Sequence, residues 1–214
     1  MNYSYCLFDL DGTLTDPGIG ITNSVMYALE RFGIKVKDRS ELYVFIGPPL
    51  PDSFKKYYGF TDEQASKAVE YYREYFRPKG IFENMVYEGI PQLLAALKKK
   101  GVKVALATSK PYEFAVQILK HFDLYQYFDF FGAATMDGRI SKKSDVIAEL
   151  LKEIGEADLS GVLMVGDRDQ DITGAKANGL KSAGVLWGYG SEEELTGAGA
   201  DYLVSTPEEL VELV

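Results

Sequence analysis

Beyond residue 84 the chain alternates short apolar segments with amphipathic helical ones, and this alternation limits the fold more than any other feature. A helix over 90–100 ends in Lys98-Lys99-Lys100-Gly101, with the lysines set against the negative end of the helix dipole. A strand follows over 102–107 (Val-Lys-Val-Ala-Leu-Ala), and Pro111 opens a helix over 111–121. A strand near 129–133 precedes a helix over 143–154, and a strand over 161–165 (Gly-Val-Leu-Met-Val) precedes a helix over 170–178. Strand 182–186, helix 191–197, strand 201–204 and helix 207–213 complete the series, the last opened by a Thr206-Pro207-Glu208-Glu209 capping box. Strands alternating with helices predict a parallel, doubly wound α/β sheet, whose ligands bind beyond the C-terminal strand ends.

The N-terminal segment supplies a further strand. Tyr5-Cys6-Leu7-Phe8 is short, apolar and stopped by a turn signal, so it reads as buried. Asp9-Leu10-Asp11-Gly12-Thr13 then emerges at its end. Gly12 allows a tight turn close to an anion. One carboxylate can attack while the other moves protons, and together they can hold a divalent cation. A calcium loop is excluded: it needs Gly at its sixth position and Glu at its twelfth, where this chain has Leu14 and Gly20. The second acidic cluster, Asp167-Arg168-Asp169-Gln170-Asp171, fails the same test at Ile172 and Asn178.

Between these parts, residues 16–83 read as helical with no strand. Ile21, Val25, Ala28/Leu29 and Phe32 mark a helix over 17–33. Ile46-Gly47-Pro48-Pro49-Leu50-Pro51 is a stiff loop, a helix follows over 52–58, and Thr61-Asp62-Glu63-Gln64 caps another that ends near Pro78-Gly80. The expected domains are therefore a core of 1–15 with 84–214 and a helical insert of 16–83.

The 46% apolar content suffices for a sizeable core, and neither a signal pattern nor a membrane-length apolar stretch is present. Cys6 is the only cysteine; it reads as a small core residue, which fits a reducing, cytoplasmic setting. A net charge of −9 argues against a general nucleic-acid or anionic-membrane binder, while a small anionic substrate can still meet a locally positive site. A monomer is expected, with a dimer as the alternative.

Polar residues sit at three strand ends, Asp9, Thr108-Ser109-Lys110 and Gly166-Asp167-Arg168-Asp169-Gln170-Asp171, and a lysine pair, Lys142-Lys143, opens a helix nearby. In a parallel sheet the strand ends share one edge. This order and spacing resemble the haloacid dehalogenase superfamily of phosphohydrolases: a nucleophile loop, a Ser/Thr at a strand end, a Lys, and an acidic Gly-Asp-x-x-x-Asp loop. The resemblance spans residues 3 to about 205, with the helical insert where that family places its small cap.

The resemblance implies that Asp9 is the nucleophile, forming an aspartyl-phosphate, and that Asp11 is the proton donor and acceptor. Asp9, the Asp11 backbone carbonyl and Asp167 would hold Mg²⁺, with Asp171 supporting the ion. Thr108 and Lys143 would neutralise phosphoryl oxygens, with Lys142 as the competitor for that role. Gly12, Thr13, Ser109, Lys110 and Gly47 are the implied substrate contacts. Lys110 and Arg168 are read as reaching a substrate anion or as solvated, and Asp169 as a solvated loop acid. His121 reads as a helix-end residue and the Tyr71, Tyr72, Tyr75, Phe76 cluster as packing within the insert.

The cap position, the Gly47 loop, Gly188-Tyr189-Gly190 and Ala198-Gly199-Ala200-Asp201-Tyr202 resemble phosphoglycolate phosphatase-like proteins, and a neighbouring branch of bacterial 5′-nucleotidases shares them. A small phosphate ester is the expected partner, phosphoglycolate first and a nucleoside monophosphate as the alternative. Lys55, Arg73 and Arg77 are further candidate anion contacts. A phosphoacceptor signalling domain uses similar residues, but there the acidic pair precedes a mid-chain acceptor Asp. No GxxxxGK[ST] loop is present, and Gly188-Tyr189-Gly190 lacks the next glycine of a dinucleotide fingerprint.

Overall fold

The computed structural model describes residues 3–155 and 158–214. The chain divides into two compact units, Met1–Thr15 with Val86–Val214, and Asp16–Met85.

The larger unit is built on six parallel strands: β1 (Tyr5–Phe8), β4 (Lys103–Pro111), β5 (Phe130–Ala134), β6 (Val162–Gly166), β7 (Lys181–Val185) and β8 (Tyr202–Val204). Their order is β5-β4-β1-β6-β7-β8. The chain steps outward from β1 through β4 to β5, returns to the other side of β1 at β6, and steps outward again. That reversal places a crevice beyond the C-terminal end of β1. β1 is bonded on both sides, Phe8 opposite Leu106 of β4 and Val165 of β6. A strand so enclosed must be apolar on both faces, and Cys6, Leu7 and Phe8 are fully buried.

Helices α4 (Ile90–Lys99), α5 (Tyr112–His121), α6 (Lys143–Ile154), α7 (Asp169–Ala177), α8 (Glu192–Ala198) and α9 (Pro207–Leu213) connect and flank these strands. α4 buries Ile90, Leu93, Leu94 and Leu97, one face at helical spacing. On one side of the sheet, Leu7, Ala105, Ala107 and Met164 pack with Ile147 and Leu150 of α6 and Ala175 of α7. The packing is tight enough that a Cβ on Gly132 would stand 3.0 Å from the Leu150 side chain.

Two boundaries depart from the sequence reading. Pro111, expected to open a helix, is the last residue of β4, so Thr108, Ser109 and Lys110 lie within the strand. The reason is tertiary: the register with β5 shifts between Thr108 and Pro111 and carries the strand past its apolar run. At α9, Thr206 accepts from the Glu209 amide as expected, but the Glu209 carboxylate accepts from Ser205 N, one residue before the cap.

The Asp16–Met85 unit consists of α1 (Gly18–Glu30), α2 (Leu50–Tyr58) and α3 (Asp62–Phe76) with shorter turns. Thr61 and Gln64 form the expected reciprocal capping box. α2 begins at Leu50, because Pro51 in a first helical turn forfeits no hydrogen bond. A Cβ on Gly20 would lie 1.9 Å from Gly80 O, so α1 can approach that turn only through glycine. Phe45 and Phe54 meet edge to face at 5.0 Å, and Tyr72 stacks on Phe76 at 5.1 Å, as expected for an internally packed insert. The expectation of no strand in 16–83 is corrected at Asp16: β2 (Thr15–Asp16) pairs with β3 (Met85–Val86) where the chain passes between units.

Candidate active site

Every residue of the site described here belongs to the larger unit. β1 delivers Asp9, whose amide donates to Val165 O at 2.9 Å and prolongs the pairing with β6. The turn that follows is closed on itself: Leu14 and Thr15 donate to Leu10 O at 2.9 and 3.0 Å, and Gly12 donates to Thr15 O at 2.8 Å. Gly12 has φ +87°, and a Cβ there would lie 2.2 Å from Asp167 Oδ2. Left-handed backbone and a crowded neighbour both require glycine.

Asp9, Asp11, Thr108, Lys110, Lys143, Asp167 and Asp171 are all buried. Lys143, the first residue of α6, reaches inward. Its Nζ lies 2.7 Å from Asp9 Oδ1 and 2.8 Å from Asp171 Oδ1, and donates to Ala107 O at 2.8 Å. Lys142, the N-cap of that helix, is exposed. The structure therefore places Lys143 among the acids and Lys142 outside them.

Asp167, at the end of β6, accepts from Thr13 Oγ1 at 3.3 Å and from Tyr189 N at 2.8 Å. Thr13, read as a substrate contact, donates its hydroxyl to this carboxylate. Asp171 accepts from Arg168 N at 3.1 Å. Ser109 Oγ is buried with no hydrogen-bond partner among the described residues, and Lys110 N donates to Thr108 Oγ1 at 3.2 Å. Gly47 lies in the other unit, with φ +103°.

For Lys110 and Arg168 the solvated alternative is corrected. Lys110 Nζ lies 2.7 Å from Asp11 Oδ2, both side chains buried. Arg168 Nε pairs with Glu194 at 2.7 Å, a tie that fixes the acidic loop to α8. Asp169 is exposed as expected, and His121 ends α5 with its ring edge-on to Phe122.

The sequence reading missed one structural support. Trp187 Nε1 donates to Thr13 O at 3.0 Å, and Tyr189 N holds Asp167. A Cβ on Gly188 would stand 2.3 Å from Gly12 O, and one on Gly190 1.9 Å from Asp167 O. The loop after β7 therefore braces both the nucleophile turn and the acidic loop. A lone tryptophan beside Gly-x-Gly was the available signal.

Burial, reinforced by Asp171 and Asp9, pushes Asp167 well above the usual carboxylate range. Burial also raises Asp11, against the pull of Lys110. Asp171 is pushed up to about 6 by burial, although Lys143 opposes it. For Lys143 burial pulls downward, but Asp171 and Asp9 outweigh it and hold the ammonium above its ordinary value. One oxygen each from Asp9, Asp167 and Asp171 lie within 4.8 Å of one another. Lys143 pairs with Asp9 and Asp171 but not with Asp167, and a cluster of three buried hard oxygen donors of this kind fits a divalent cation.

An open parallel sheet with a carboxylate–lysine cluster at its switch point sets buried acids where such sheets bind their ligands. Residues 6–185 match the haloacid dehalogenase-like hydrolase family. The chain is 47% identical over 195 residues to a 5′-nucleotidase of Pseudomonas aeruginosa, covering 91% of this chain and 88% of that one. It is 38% identical over 184 residues to tyrosine-protein kinase PtkA of Mycobacterium tuberculosis, covering 86% of this chain but 62% of that one. A phosphoglycolate phosphatase of Aquifex aeolicus is 31% identical over 208 residues, with 97% and 95% covered. The crystal structure of a predicted phosphatase from Clostridium acetobutylicum superposes with a TM-score of 0.97 at 49% identity, covering 100% of this chain and 98% of that one. The chain belongs to the haloacid dehalogenase-like hydrolase family, and it is an enzyme of the phosphatase type. Among the described residues no helix is long and apolar enough to cross a membrane.

Proposed function

We propose that the protein hydrolyses small phosphate monoesters through an aspartyl-phosphate on Asp9. The observation that carries this reading is the buried pairing of Lys143 with Asp9 and Asp171 beside Asp167. Phosphoryl transfer asks for an in-line nucleophile, neutralised equatorial oxygens and a proton for the leaving group. Asp9 supplies the nucleophile. Lys143 and the Thr108 hydroxyl balance charge on the transferring group, with Ser109 Oγ available as a further donor. Asp11 gives its proton to the departing oxygen and later takes one from the attacking water. Asp9, Asp167 and Asp171 are the side chains that would hold Mg²⁺; when bound, the ion neutralises phosphoryl charge and permits the dianion to approach Asp9.

For the substrate, sequence resemblance put phosphoglycolate first. The relative named 5′-nucleotidase is 47% identical and the one named phosphoglycolate phosphatase 31%. That difference supports a nucleoside 5′-monophosphate as the better first choice, with phosphoglycolate as the alternative. A part for Gly47 and its loop in substrate choice rests on the family resemblance.

The test is phosphate release from a panel holding both classes, with Mg²⁺, with EDTA, and with Asp9→Asn. Metal-dependent release that vanishes in Asp9→Asn, together with an acid-stable phosphoprotein trapped on wild type, is expected. Turnover that persists in Asp9→Asn would overturn the mechanism. A long-lived, stoichiometric phosphoprotein without turnover would overturn the assignment as a phosphatase.

A further inference from the structure

We propose that Lys110 is a positioning residue that fixes Asp11 so that only its Oδ1 is presented to the reacting group. The proposal rests on the reading of Asp11 as proton donor and acceptor given above. Lys110 Nζ lies 2.7 Å from Asp11 Oδ2, with 6% and 9% of the two side chains exposed. Oδ1 of the same carboxylate is buried with no hydrogen-bond partner among the described residues. A bare buried carboxylate oxygen is rare unless a ligand meets it. One oxygen is therefore pinned and the other offered.

The strand explains how a lysine reaches that place. β4 and β5 stay in register up to Thr108 opposite Ala133, and the next pair is Pro111 opposite Ala134. Ser109 and Lys110 are the inserted residues. A bulge of this kind re-aims side chains at a sheet edge. β1 is the neighbour of β4 on the other side, so the loop carrying Asp11 meets the re-aimed lysine directly. A lysine buried at a strand end gives up its hydration, and the Asp11 Oδ2 beside it offsets that loss.

The proton route makes the orientation matter. As the Asp9 oxygen bonds to phosphorus, the ester P–O bond breaks and the Asp11 Oδ1 proton passes to the departing oxygen. In the second half, water attacks phosphorus, its proton returns to Asp11, and the bond between phosphorus and Asp9 breaks. A carboxyl free to rotate would spend much of its time with neither oxygen in line. A leaving group that needs no proton would be indifferent to this in the first half.

Lys110→Gln and Lys110→Arg, compared by rapid mixing on an alkyl phosphate and on p-nitrophenyl phosphate, test the idea. Phosphoryl transfer from the alkyl ester should fall about a hundred-fold in Lys110→Gln, the scale set by misplacing a catalytic group. The first-turnover burst of p-nitrophenolate and both KM values should stay within about a few-fold, and Lys110→Arg should recover part of the alkyl-ester rate. In an Asp11→Asn background Lys110→Gln should have no further effect on that rate. Equal losses for the two leaving groups, a raised KM with kcat kept, or an additive loss in Asp11→Asn would each overturn the proposal. If Lys110→Gln does not fold, the same leaving-group comparison in Lys110→Arg decides. If wild type turns over no ester, or Asp9→Asn keeps full activity, the reading of the site fails first and this proposal falls with it.

Discussion

Lys143 Nζ and Asp9 Oδ1 form a 2.7 Å ion pair in which both side chains are buried. Removing the lysine strands Asp9 and Asp171 together, and breaking a buried pair costs about 3–5 kcal/mol. Lys143→Ala should therefore lower stability by that amount in urea melts and abolish turnover. Lys142→Ala, at an exposed helix cap, should stay within about 0.5 kcal/mol and keep its activity. The opposite ranking would transfer the clamp role to Lys142.

The acid cluster makes stability depend on pH in a direction opposite to that of ordinary surface carboxylates. Burial pushes Asp171 up to about 6 in the folded chain and raises Asp11 and Asp167 as well. An unfolded aspartate titrates near about 3.9. Between those values the folded state binds protons that the unfolded state has released, so the unfolding free energy falls as pH rises. Without divalent cation, melting temperature should drop by several degrees between pH 5 and pH 8 (about 2–4 °C per kcal/mol at this size). Saturating Mg²⁺ should remove the drop, because a cation favours the deprotonated acids. Asp171→Asn should flatten the metal-free slope. A metal-free melting temperature that climbs over the same interval would contradict the picture.

The order of strands and helices was legible because short apolar runs stopped by turn signals alternate with stretches of 3.6-residue spacing, and because four polar clusters fell at or beside strand ends. What escaped was set by neighbours distant in sequence. Thr108-Ser109-Lys110-Pro111 carries a charge and a proline, the wrong signals for a strand, and only the shifted pairing with β5 extends β4 through it. The tie from Lys110 to Asp11 shows only once β1 and β4 stand side by side. The hydrogen bond from Thr13 to Asp167 could not be read from the Thr13 motif, because Asp167 belongs to another strand. Local caps fared unevenly: Gln64 returns to its own cap residue, while Glu209 settles on Ser205, one residue before the cap.

The brace after β7 can be tested by adding one methyl group. A Cβ on Gly188 would lie 2.3 Å from Gly12 O and 2.4 Å from Asp167 Cβ, so backbone on one side and a proposed metal carboxylate on the other must move. Gly188→Ala should cost about 1–3 kcal/mol, as overpacking does, and should weaken Mg²⁺ activation more than substrate binding. Gly197 in α8 meets nothing within 4 Å. Gly197→Ala should stabilise by about 0.5–1 kcal/mol, since alanine gains over glycine in a helix. Chemical melts of the two variants, with a Mg²⁺ titration of activity for the first, check both signs.

Trp187 offers the same brace as an optical signal. It is the only tryptophan in the chain, and its indole Nε1 donates to Thr13 O at 3.0 Å within the turn that follows Asp9. Thr13 in turn donates to Asp167, so the indole lies two hydrogen bonds from a proposed metal ligand. Indole emission responds to the polarity and charge around the ring, and a cation settling against Asp167 changes both. Titration with Mg²⁺ should shift Trp187 emission saturably, with the midpoint matching that for activation. Asp167→Asn should weaken both responses together. Trp187→Phe should keep the fold while losing the anchor on the turn, slowing turnover by about tenfold or less, the loss of one hydrogen bond of about 1 kcal/mol. An emission change that persists undiminished in Asp167→Asn would place the responding ion elsewhere.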